Sequence, residues 1–241
     1  MTQQITMGAG LTAPEGTFVA DAGATSTSSS TGRAGAPSGA RRLLGASAGA
    51  APVLFTTDVA TDPAPLPREP AADFIGAIAA HPTAFVVSTS FQFAAMAAGV
   101  ALAAYVMVAF ARSAPRLAPV VGVLLAVGYL GGAAFAGAKS VAADLVVDGA
   151  PRAGALEVWS AVHSGPLFEV MSWPLLMAIP GNLLLAVLLL RHRAVVGTWP
   201  SAIVLAGFVM GSGEFPDAVT LLGWAIQVPA LLHVVRRTLR G

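Results

Sequence analysis

Five apolar stretches fill the C-terminal two thirds of the 241-residue chain, and short polar junctions separate them. They cover residues 84–111, 117–138, 166–190, 199–213 and 218–235. A transmembrane helix needs about 20 mainly apolar residues to cross a hydrocarbon core of about 30 Å. Charged residues are only 10% of the chain, against roughly 25% in soluble domains. The pattern predicts an all-α, polytopic transmembrane helical bundle whose solvent is the lipid bilayer.

A weaker apolar segment at about 43–57 precedes these stretches and follows Arg41 and Arg42. As a helix it would be about 23 Å long, and Pro52 interrupts it. Three interpretations stay open: a short first transmembrane helix, a twin-arginine signal sequence that is removed, and an extramembrane or interfacial segment. The first gives six spans and the others give five.

The charges divide between the two sets of junctions. If the spans alternate, one side of the membrane carries Arg112, Arg116, Arg191, Arg193, Arg236, Arg237 and Arg240. The other side carries Asp144, Asp148, Glu157, Glu214 and Asp217, together with Lys139 and Arg152. The positive-inside rule then predicts that the arginine side is cytoplasmic. With six spans, both termini lie in the cytoplasm and the protein sits in the cell membrane.

The residues before the apolar stretches fall into two parts. Residues 1–40 are rich in Gly, Ala, Ser and Thr, so we expect a disordered tail, followed by a bundle domain at 41–241. Between 61 and 82, the positions of Phe74, Ile75 and Ile78 place three apolar side chains on one face of a short interfacial helix.

A few polar residues inside the apolar stretches form the candidate intramembrane site. Glu169 is the foremost, because a carboxylate in hydrocarbon must pair, face the bundle interior or be protonated. Lys139 ends a neighbouring span on the same side and is its expected partner. Asn182 lies beside Pro180 in the span that also contains Pro174, where we expect a kink. Gln92 is expected to hydrogen-bond between helices.

Two further patterns concern a loop and the small residues. Glu214 and Asp217 are outer-loop carboxylates that suit helix capping, or a cation site if a third ligand joins them. Gly128 with Gly132, and Gly207 with Gly211, form two GxxxG faces for packing within the bundle or in a homo- or hetero-oligomer. We predict no metal site and no cofactor, since there is no cysteine and no metal-binding histidine pattern. No nucleic-acid-binding pattern is present.

Two segments resemble a known group. AAHPTAF at 79–85 and RHRAVVGTWP at 191–200, with Glu169 and Pro174 between them, resemble the DUF4386 type of actinobacterial integral membrane proteins. The resemblance covers roughly residues 40–240. It implies six spans and no known activity.

Three functions remain open. The first is a non-enzymatic accessory, structural or regulatory component of the cell envelope, which the lack of a catalytic constellation favours. The second is a small transporter or permease-like bundle with Glu169 as its functional carboxylate. The third is an intramembrane enzyme, for which Glu169 and Lys139 are the only candidate pair. We expect no enzymatic activity.

Overall fold

The computed structural model describes residues 39–64, 71–213 and 215–240. These residues form helices and turns, without a strand, and all belong to one compact unit. The helices are α1 (Gly39–Thr61), α2 (Ala71–Ala80), α3 (Pro82–Phe110), α4 (Leu117–Val147), α5 (Arg152–Ser164), α6 (Pro166–Leu176), α7 (Ala178–Arg191), α8 (Arg193–Val196), α9 (Trp199–Ser212) and α10 (Asp217–Arg240). The all-α prediction is confirmed for this part of the chain. The tail predicted at 1–40 lies almost wholly outside the described residues.

Five segments are long and apolar enough to cross a membrane: α1, α3, α4, the 19 residues Trp173–Arg191, and α10. This architecture is compatible with an integral membrane protein. Of the six predicted spans, the uncertain first one, α1, belongs to this set, and α9, at 14 residues, is apolar but shorter than the others.

Helix α1 is longer than the expected 43–57 because the hydroxyl groups near its C-terminus donate hydrogen bonds to backbone carbonyls of the same helix. The Thr56 hydroxyl donates to the Pro52 carbonyl at 2.7 Å, and the Thr61 hydroxyl to the Thr57 carbonyl at 2.8 Å. Such bonds to the preceding turn let Thr residues stay helical. The helix therefore reaches 23 residues and includes Asp58 in its last turn.

Helix α4 also exceeds its expected end at 138. It has 31 residues, about 46 Å, and ends at Val147, with Asp148 as its C-cap and Gly149 at φ +83°. Gly149 N–H donates to the Val146 carbonyl and Ala150 N–H to the Leu145 carbonyl, which is a Schellman motif. The residues that follow, between two predicted spans, form α5. Helix α2 confirms the predicted short helix, with Phe74, Ile75 and Ile78 buried.

The predicted span 166–190 is broken into α6 and α7 at Met177. Pro174 and Pro180 lie on either side of the break, and each lacks the N–H that would continue the helical ladder. Pro180 is the third residue of α7, where a backbone N–H has no acceptor within the helix in any case. The kink predicted in this span is thus a break between the two prolines.

The helices run antiparallel, so their charges gather at two ends. At the basic end, Arg41 Nη2 donates to the Thr238 carbonyl at 2.7 Å, and the rings of Phe110 and His192 lie 4.9 Å apart. At the acidic end, Asp58 of α1 meets Ser88 of α3. The arginine junctions therefore share one end of the bundle, as the alternation of the spans predicts.

The described residues form two apolar cores. The larger runs through the bundle and includes Leu102, Leu125, Leu188 and Val234. The smaller lies at the acidic end, where α2 and α5 pack on the ends of α3 and α4 around Phe74, Phe85 and Trp159. We call α2 and α5 the acidic-end cap.

Candidate functional site: a cavity in the acidic half of the bundle

A cavity of about 460 Å³ lies between α1, α3, α4, the α6–α7 break, α9 and α10. Its size falls within the range of about 300–1,000 Å³ that is usual for small-molecule sites. Five aromatic side chains line it: Phe55, Tyr129, Phe135, Phe208 and Trp224. The rings of Phe55 and Trp224 stack at 4.2 Å, and the Phe55 and Tyr129 rings at 6.2 Å.

The cavity occupies the acidic half of the bundle. On α4 its lining runs from Gly128 to Phe135, about 17 to 27 Å along the helix from Leu117. With a hydrocarbon core of about 30 Å, this interval reaches from the midplane toward the acidic boundary.

In the basic half of the bundle, packed side chains fill the space between the helices. Near the basic end, the Tyr105 and Thr238 hydroxyls are hydrogen-bonded to each other. The Ser201 hydroxyl donates to the Ala186 carbonyl at 2.7 Å and joins α9 to α7. Leu102, Leu185 and Leu189 are fully or almost fully buried between them. The cavity therefore has a packed floor toward the basic end.

Asp58 and Gln92 are two of the polar side chains that line this mainly aromatic space. Asp58 is 4% exposed, and its Oδ1 accepts a hydrogen bond from Ser88 Oγ at 2.6 Å. Gln92 lines the cavity from α3, and its Oε1 is buried without a hydrogen-bond partner. The Thr89 hydroxyl, one turn away, is likewise buried without a partner and is not among the lining groups.

Lys139 lies one turn beyond the cavity, toward the cap. It is 1% exposed, and its Nζ is 3.3 Å from Oδ2 of Asp62, whose side chain is 4% exposed. The same Nζ lies 5.1 Å from the Phe85 ring centroid and 5.7 Å from that of Phe74. Aromatic faces stabilise an ammonium group at such distances. Lys139 therefore forms an ion pair with Asp62, which lies just beyond the end of α1.

Of the remaining predicted site residues, two lie near the N-terminal ends of helices, and two have side chains outside the described part of the chain. Asn182 Nδ2 donates to the carbonyl of Ala178 at 2.9 Å, so it supports the first turn of α7. Asp217 begins α10, where a negative charge is favourable. Glu169 belongs to α6, but its side chain lies outside the described set, as does the whole of Glu214. The expected Glu169–Lys139 pair therefore stays a prediction.

Both GxxxG faces pack against helices of the same chain. A Cβ at Gly128 would lie 2.5 Å from the backbone nitrogen of Ala178, and one at Gly211 would lie 2.7 Å from the Trp224 ring. Close approach of this kind is what small residues permit. An oligomer formed through these faces remains a prediction that a single chain does not test.

Asp58, Tyr129 and Trp224 are site residues that sequence reasoning missed. Asp58 follows an apolar run and two threonines, and Asp62 follows four residues later, a spacing that places both on one helical face. That spacing was the available signal. Tyr129 and Trp224 gave none, because an aromatic residue in an apolar span is indistinguishable from ordinary core.

Comparison with protein-family models, curated proteins and solved structures gives no match to this chain. The resemblance to DUF4386-type proteins therefore remains an expectation, and the function has to be argued from the site.

Proposed function

We propose that this chain is a multi-pass protein of the cell membrane that crosses it six times and acts as a small-molecule-binding, permease-like bundle without catalytic activity. The observation that carries the proposal is the cavity of about 460 Å³ beside Asp58 and Gln92. Its basic end faces the cytoplasm in this proposal, because all of the described arginines except Arg152 gather there.

The position of the broken helix supports the proposal. Leu175, Leu176, Ala178 and Ile179 flank the break at Met177, and all four line the cavity. Interrupted helices inside membranes are tolerated where they line a cavity, and in many transporters they form the substrate site near the midplane. Glu169 lies on the same broken helix and is the second candidate carboxylate of the proposal.

The one-sided closure is a second support. The basic half is packed while the acidic half holds the cavity, as in a bundle that admits a ligand from one side at a time. A purely structural bundle has no need of an unpaired amide oxygen beside an open space, because its burial costs free energy.

Filling the cavity tests this proposal. Val59 lines it from α1, whereas Val53 on the same helix is 45% exposed and is not a lining residue. Val59→Trp should abolish the binding of small molecules detected by native mass spectrometry of the purified full-length protein, and Val53→Trp should leave it intact. If the wild type and Val59→Trp retain the same molecules, the cavity is not a ligand site.

An accessory role in an envelope assembly is the second candidate function. The observation that favours it is the enclosure of Lys139 by Asp62, Phe74 and Phe85, which uses a buried charge to hold the cap. Purification from native membranes in mild detergent tests it. A stoichiometric partner that stays bound to Val59→Trp would support this role over ligand binding.

A further inference from the structure

We propose that the ligand is an amphipathic molecule dissolved in the bilayer, with an apolar body and a head that donates a hydrogen bond, and that it enters sideways between α7 and α9. This inference rests on the proposed function, and it adds the class of ligand and the route of entry.

The route follows from residues that belong to the cavity wall and to the outer surface at once. Leu176 and Ile179 line the cavity, yet they are 48% and 49% exposed. Ser212 lines it from α9 and is also exposed. Helices α7 and α9 are joined near the basic end by the bond from Ser201 to Ala186. Toward the acidic end the cavity lies between them, and this opening is the lateral slot.

The depth of the lateral slot places it in hydrocarbon. Ile179 lies 12 residues before Arg191, about 18 Å along α7. Ser212 lies 13 residues after Trp199, about 20 Å along α9. Both distances are measured from the basic end of the bundle. The slot therefore opens well inside a core of about 30 Å. A molecule that passes through it comes from among the acyl chains.

The head group follows from the polar atoms of the wall. The Ser212 hydroxyl donates to the Phe208 carbonyl at 2.6 Å, and the Thr220 hydroxyl to the Phe215 carbonyl at 3.3 Å. Each hydroxyl has one hydrogen, so both offer only lone pairs to a ligand.

Gln92 Oε1 is the acceptor that lacks a donor. The Gln92 side chain lines the cavity, and its terminal torsion is soft. In our proposal a ligand hydroxyl or amide N–H that enters the cavity donates to this oxygen.

A matched pair of probes tests the ligand class. We would add a hexadecanol that carries a diazirine on its chain, or its methyl ether, to the full-length protein in lipid nanodiscs and map the photo-adducts by mass spectrometry. The alcohol donates a hydrogen bond and the ether does not. We expect adducts on Leu176, Ile179 and Ser212, with the alcohol labelling about tenfold better than the ether at equal concentration.

Two pairs of variants locate the effect. Gln92→Leu should make alcohol and ether equal, whereas Thr89→Val, which removes a buried oxygen one turn away, should keep the preference. Ile179→Trp should block labelling of Ser212. Leu183→Trp, one turn further along α7 at a residue that is 47% exposed and not in the lining, should leave it unchanged. Thermal unfolding of each variant verifies that it folds.

The outcomes separate this inference from the proposed function. Equal labelling by alcohol and ether in the wild type overturns the donor head and shows a slot that takes any acyl chain. If Ser212 is still labelled in both Ile179→Trp and Val59→Trp, the lateral route is wrong. If neither probe labels the cavity but Val59→Trp still removes a water-soluble ligand, the inference is wrong and the proposed function stands. If Val59→Trp changes the binding of nothing, the proposed function fails as well.

Discussion

At the scale of single residues, the pair of Asp62 and Lys139 is the most consequential electrostatic feature of the described chain. Both side chains are at most 4% exposed. Breaking a buried ion pair by removing one partner costs roughly 3–5 kcal/mol, because a charge is left uncompensated. We expect Lys139→Met and Asp62→Asn each to lower thermal stability in detergent, and the double variant to lose clearly less than the sum.

The control for this cycle is the pair that the sequence predicted. Glu169→Gln combined with Lys139→Met tests whether Glu169 also contacts the lysine. Strictly additive effects of Asp62→Asn and Lys139→Met would contradict the observed ion pair, and coupling of Glu169 to Lys139 would show that the lysine serves two carboxylates.

Gln92 gives a second prediction, in which stability and binding move in opposite directions. Its Oε1 is buried without a partner, so Gln92→Leu should raise the unfolding temperature of the ligand-free protein by the equivalent of about 1 kcal/mol. Thr89→Val should stabilise by a similar amount for the same reason. Differential scanning fluorimetry measures both. A destabilised Gln92→Leu would mean that the amide is needed for packing.

The residue scale also shows how far a sequence can indicate a site. Gln92 and Lys139 stood out because a polar residue in an apolar run has few explanations, and both proved to be buried or at the cavity. The partner of Lys139 did not stand out. Asp62 reaches Lys139 across 77 positions of sequence, and no local pattern encodes a contact between a helix end and the middle of another helix.

At the scale of helices, the glycines of α4 control how closely the broken helix can approach. A Cβ at Gly128 would meet the backbone of Ala178, which cannot move aside as a side chain can. Gly137 lies on the same helix with nothing within 4 Å of an added Cβ.

We therefore expect Gly128→Ala to destabilise the protein by about 1–3 kcal/mol through overpacking. Gly137→Ala should be neutral or stabilising by up to about 1 kcal/mol through helix propensity. Thermal unfolding in detergent compares them. Equal effects of the two substitutions would contradict the packing of α4 against α7.

Helix α1 carries a prediction of its own. Its 23 residues pack against α3 and α10, and Arg41 bonds to Thr238. Because these contacts belong to the folded bundle, we expect the segment to be retained and not removed as a signal. N-terminal sequencing of the purified protein checks this, and a mature start between residues 48 and 62 would contradict it.

The helices themselves were only partly predictable. Hydropathy located α3, α4 and α10, since long apolar runs have one structural solution in lipid. It underestimated α1 and overlooked α5, because Thr hydroxyls bonded to the preceding turn and a helix in the acidic-end cap leave no hydropathy signal. It located α9 to within one residue, and the 14 residues of that helix make about 21 Å.

At the scale of the whole molecule, the orientation of the bundle in the membrane decides the class of ligand. The bundle has a basic and an acidic end, and the cavity lies nearer the acidic one. The depth of the lateral slot in hydrocarbon, and hence the class of ligand, follows only if these two ends face opposite sides of a membrane. The positive-inside rule predicts which end is cytoplasmic.

Cysteine labelling tests this arrangement most directly, because the chain has no cysteine and every label reports an introduced thiol. Ser113 and Asp148 are exposed residues in the turns at the two ends of α4, and Gly39 is exposed at the start of α1. In intact cells, a membrane-impermeant maleimide should label Asp148→Cys and leave Ser113→Cys and Gly39→Cys unlabelled until the cells are permeabilised. Labelling of Ser113→Cys in intact cells, alone or together with Asp148→Cys, would contradict the account.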